Sequence, residues 1–69
     1  MSIDELMLAA VENTAQANRG LADAFTVGQE RPVPAALLTQ VLVNLRHATS
    51  AVQSLEQMAR GVPPPKLGD

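Results

Sequence analysis

Few side chains in this sequence could do chemistry. The acids Asp4, Glu5, Glu12 and Asp23 fall in its first third, and His47 stands three residues before Ser50. Two carboxylates can work as general acid and base when they converge and an apolar pocket lifts one pKa into a working range. Glu5, Glu12 and Asp23 are instead strung along one edge of a helix-forming stretch, several turns apart. They read as a solvated acidic face. A histidine near a serine is the beginning of a nucleophile and its base. His47 and Ser50 are simply neighbours on one helix, with no carboxylate to orient the imidazole, so a solvent-facing or rim histidine is expected. Cysteine is absent, and neither a metal-ligand cluster nor a glycine-rich phosphate loop occurs. The expectation is a protein that is not an enzyme, with no catalytic residue, metal, cofactor or small-molecule substrate.

The charge pattern bears on partners. Formal net charge is −2. Residues 1–30 carry Asp4, Glu5, Glu12, Asp23 and Glu30 against Arg19, a net −4. Residues 31–69 carry Arg31, Arg46, Arg60 and Lys66 against Glu56 and Asp69, a net +2. A nucleic-acid binder usually carries a strong basic excess, which argues against nucleic acid. No apolar run approaches the roughly 20 residues needed to span a bilayer. The first residues lack the basic start and apolar core of a signal peptide. A soluble, cytoplasmic chain without a membrane role is expected.

These residues must be positioned by helices. Hydrophobic residues make up 46% of the 69, yet Phe25 is the sole aromatic. The apolar content is mostly Ala, Leu and Val, and Ala and Leu favour helix, so the fold class expected is all-α. Ser2-Ile3-Asp4-Glu5 is a capping-box pattern that starts a helix near Ile3. That helix is expected to run to about 27 in one piece, although Gly20 in its middle costs roughly 1 kcal/mol relative to Ala. Gly28 is expected to end it in the left-handed conformation. Pro32 keeps Arg31 out of helical geometry, and Pro34 suits the first position of a second helix. The second helix is expected over about 34–60, with Gly61 and Val62 forming its C-terminal cap. Pro63-Pro64-Pro65 then forbids continuation. The organisation expected is an antiparallel helical hairpin over 1–62, a connection at about 28–33, and a flexible Pro-rich tail over 63–69.

The apolar surface of these helices is too wide for a lone hairpin. In helix 2, Leu38, Val41, Leu45, Ala48, Val52, Leu55, Ala59 and Val62 follow an unbroken 3-4 heptad spacing, the seam of a bundle. Leu37, Leu42, Ala51 and Met58 widen it. In helix 1, Ile3, Met7, Ala10, Ala17, Leu21 and Ala24 make one stripe, widened by Leu6, Leu8, Val11, Ala15, Ala22 and Phe25. A surface helix needs an apolar stripe somewhat over 100° wide, and these are about twice that at 100° per residue. Thr14, Asn18 and Thr49 interrupt the arcs as possible register-fixing polar residues.

The function expected is therefore protein–protein interaction. The chain would be a small adaptor or accessory subunit that pairs with itself, or with another protein, most simply as a homodimer closing a four-helix bundle. The expected interface is Leu21, Phe25, Leu37, Leu38, Val41, Leu42, Leu45, Ala48, Val52, Leu55, Met58 and Ala59, rimmed by Arg46, Gln53 and Arg60. The alternative is a small phage- or bacterium-encoded regulator whose Arg46 and Arg60 touch nucleic acid in an oligomer.

Overall fold

The computed structural model describes residues 2–61. It contains two α-helices, α1 (Ile3–Gly28) and α2 (Ala35–Ala59), packed against each other as a hairpin. No strand occurs among the described residues. The molecule is one helix layer thick. Its radius of gyration, 15.4 Å, exceeds the roughly 11 Å of a compact domain of this length.

α1 begins where the capping pattern places it. The Glu5 amide donates to the Ser2 Oγ at 3.2 Å, which satisfies one of the amides a helix start leaves free. Asp4 and Glu5 occupy the first turn, where the helix dipole favours negative charge. The helix continues through Gly20 without interruption.

Two details of the connection differ from expectation. Gly28 is the last residue of α1 but is not left-handed; Gly61 is the one described residue with positive φ, at 74°. α1 instead stops through a tight turn in which the Glu30 and Arg31 amides both donate to the Val27 carbonyl at 3.0 Å. Space beside Gly28 is tight: a Cβ there would lie 3.3 Å from Val33 Cγ2. Pro34 is extended and precedes α2 as its N-cap, so the helix starts one residue later than expected. The missing proline N–H costs nothing in either place. Gly61 does close α2 in the left-handed conformation, its amide donating to the Met58 carbonyl at 3.0 Å. The expected contact from Val62 and the tail at 63–69 lie outside the described residues.

The seam between the helices is built from small residues. α1 contributes Leu6, Ala10, Asn13, Ala17, Gly20, Ala24 and Val27, all buried or half-buried. α2 contributes Leu37, Val41, Asn44, Ala48, Ala51 and Leu55. Both series alternate four- and three-residue steps, the rhythm of a coiled-coil seam. Among the buried apolar residues only Leu6 and Val41 are larger than alanine. Ala17, at 1% exposure, marks the tightest point.

Candidate interaction surface

The seam rotates the expected stripe of α2. Val41 and Ala48 are buried inside the hairpin and Leu55 is half-buried there, but Leu38, Leu45 and Val52 are exposed. The 3-4 spacing of that stripe is real, yet two such tracks run along α2, one residue apart. The track through 37, 41, 44, 48, 51 and 55 faces α1, because its smaller residues let the backbones approach. The track through Leu38, Leu42, Leu45, Thr49, Val52 and Glu56 faces outward.

α1 has the same construction. One residue beyond each seam position lie Met7, Val11, Thr14, Asn18, Leu21 and Phe25, all exposed. A step of one residue turns a helix by about 100°. The helices run antiparallel, so the same step on each turns both outer tracks toward one side of the hairpin. The groove on that side is lined by Thr14 of α1 together with Leu45, Thr49 and Val52 of α2. The opposite groove is lined by Leu6, Ala9 and Asn13 of α1 with His47, Ser50, Ala51 and Ser54 of α2, and its polar side chains are His47, Ser50, Ser54 and Asn13.

The two grooves differ less in lining than the faces do in exposed side chains, since most of the large exposed apolar residues gather on the first side. Ile3, Met7, Val11, Leu21, Phe25, Leu38, Leu42, Leu45 and Val52 are all exposed large apolar residues, Phe25 to 72%. All lie on or beside the outer tracks. Leu8 adds an exposed side chain on the back of α1, and Met58 another near the end of α2.

No family model matches the sequence, and no curated protein or solved structure is significantly similar to it.

The expected interface residues divide in two. Val41, Ala48, Leu37 and Leu55 belong to the seam inside the hairpin, whereas Leu21, Phe25, Leu38, Leu42, Leu45, Val52, Met58 and Ala59 are exposed. Ile3, Met7 and Val11 join the exposed group, and Asn44, at 7% exposure, joins the seam. Neither group was among the expected interface residues. The signal for both was present, since each helix carries parallel tracks and the one richer in Ala and Gly goes inside.

The polar residues do not converge. Arg60 reaches back to Glu56 on its own helix at 3.4 Å. Glu12 lines a shallow hollow with Ala15, Gln16 and Arg19, away from the apolar face. Glu5 and Asp23 share the polar edge of α1 and are exposed. His47 and Ser50 line the opposite groove, and among the described residues no hydrogen bond joins either to a carboxylate. Among the described residues no group of three or more His, Cys, Asp or Glu side chains could hold a metal ion. Arg46 and Gln53 stand exposed on the outer edge of α2 beside the apolar face.

Proposed function

We propose that this chain is a non-enzymatic association module, a cytoplasmic adaptor or accessory subunit, that pairs with a second copy of itself through the apolar face. The observation that carries this reading is an inversion of size. Alanine and glycine hold six of the thirteen seam positions and leucine and valine five, while leucine, methionine, valine and phenylalanine stand exposed on one outer face. Monomeric proteins rarely expose contiguous apolar patches unless those patches bind something.

The magnitudes agree. Eight large side chains of that face, from Met7 to Val52, are each near half exposed. Covering them in both copies amounts to about eight full burials, on the order of 12–24 kcal/mol per dimer before the cost of association. That cost is itself roughly 4–15 kcal/mol. Pairing is therefore expected to depend visibly on concentration. A second hairpin laid on the face gives each helix two neighbours and completes a four-helix bundle.

No helix is long and apolar enough to cross a membrane among the described residues. A helix lying on a membrane surface would favour Lys and Arg on its polar side, and here that side of α1 carries Glu5, Glu12 and Asp23 against the single Arg19. A protein partner fits better.

Light scattering coupled to size-exclusion chromatography tests the reading. The purified chain is expected to run at twice its 7.3 kDa mass at high concentration and to shift toward monomer on dilution. A chain that stays monomeric and helical at high concentration overturns it.

A further inference from the structure

The outer track of α1 carries more than apolar surface. In order it is Met7, Val11, Thr14, Asn18, Leu21, Phe25. This order is the same from either end: two apolar residues, two polar residues, two apolar residues. The track continues to Gly28, which has no side chain to pair, so the pattern of side chains runs from Met7 to Phe25 with its midpoint between Thr14 and Asn18. A stripe that is symmetric about its own midpoint suits a two-fold axis crossing it there.

Resting on the pairing above, we propose that the second copy docks with its connecting loop at the opposite end, so that α1 lies antiparallel against α1 of the partner. The axis passes near Gln16. Met7 then faces the partner's Phe25, and Val11 faces the partner's Leu21. Thr14 meets the partner's Asn18, and Asn18 meets the partner's Thr14. Antiparallel coiled coils pair alternate heptad positions in this way. On α2 the axis falls at the level of Leu45, so Leu45 faces the same residue of the second copy and Leu38 comes opposite the partner's Val52.

The competing arrangement places both loops at one end and sets α1 against the partner's α2. The level of the two helices is fixed by Gly20, which sits beside Val41. At that level, Asn18 would face the gap between the partner's Leu42 and Leu45. A buried amide without a hydrogen-bonding partner is costly. In the proposed arrangement the same amide meets a hydroxyl across the axis. Thr14 and Asn18, which interrupt the apolar face, become the register marks of the dimer, as single polar core residues do in coiled coils.

Disulfide trapping decides between the two. The chain has no cysteine, so single-cysteine variants report cleanly. Val11→Cys is mixed in equal amounts with Leu21→Cys, and separately with Val52→Cys, under mild oxidation. The first mixture is expected to yield several-fold more cross-linked heterodimer than the second. The reverse ratio, or equal yields, overturns the arrangement. If the variants remain dimeric by light scattering while the ratio reverses, the arrangement fails and the pairing stands. If wild-type chain is monomeric, both fail. Asn18→Leu gives an independent check. It is expected to keep or strengthen association but to reduce the preference between the two mixtures to near unity; an unchanged preference removes Asn18 as the register mark.

Discussion

A Cβ placed on Gly20 would lie 2.6 Å from Cγ2 of Val41. Val41 is 4% exposed and its β-branched side chain has little rotamer freedom in a helix. The glycine in the middle of α1 is therefore not a flaw that the helix tolerates. It is the notch into which Val41 fits.

Gly20→Ala sets two effects against each other. Helix propensity favours the alanine by about 1 kcal/mol. Overpacking against a stiff buried neighbour costs typically 1–3 kcal/mol, so a net loss is expected. Pairing Gly20→Ala with Val41→Ala removes the clash, and the double variant is expected to be more stable than the sum of the single changes predicts. A double-mutant cycle from urea unfolding at fixed chain concentration measures this coupling. Additive effects would mean that the two residues do not touch.

Leu45→Asp and Phe25→Ser are expected to abolish association. Both side chains lie outside the hairpin seam, so neither change opens a cavity within one chain. A charge at position 45 would have to be buried in the dimer, at a cost of several kcal/mol. Sedimentation velocity is the readout, and retention of the dimer in both variants would place the interface elsewhere.

The face opposite the apolar one gives the matching control. His47→Ala and Ser50→Ala are expected to change stability by no more than about 0.5 kcal/mol, as exposed positions usually do. Their mass in solution is expected to equal that of the wild type. Arg60→Ala, although its partner Glu56 lies beside the apolar face, is expected to change stability as little, because the ion pair is exposed on both sides and such pairs contribute roughly 0–1 kcal/mol. A large loss of dimer from His47→Ala or Ser50→Ala would show that the opposite side takes part.

Ser2→Ala removes the side chain that accepts from the Glu5 amide. A loss of about 1 kcal/mol is expected, with the cap range being roughly 0.5–2 kcal/mol. Thermal melts at fixed concentration would detect it. An unchanged midpoint would mean that the first turn is frayed in solution.

The helices, the caps at Ser2 and Gly61 and the break between the helices were legible because local chemistry sets them, whereas Gly28 and Pro34 took other roles than expected. Ser2, Pro32 and Gly61 act on their immediate neighbours, and each end fell within a residue or two of its expected place. The rotation of the helices was not legible from apolar spacing alone. On α2 the residues 38, 42, 45 and 52 keep heptad rhythm as well as 37, 41, 48 and 55 do, and apolar content does not separate them. Size separates them: two helices can approach closely only along tracks of small residues, so Ala10, Ala17, Gly20, Ala24, Ala48 and Ala51 turn inward. Asn44 escaped notice because a polar residue within an apolar series resembles a break in the pattern, and here it lies in the seam.

Alanine has no rotamers to lose, and it also gives little back when it is covered. An interior furnished mainly with methyl groups holds its two rods together only weakly. Under the proposed pairing, folding and association form one equilibrium, as in obligate dimers. The melting midpoint is then expected to rise with chain concentration, and dilution to favour the open chain.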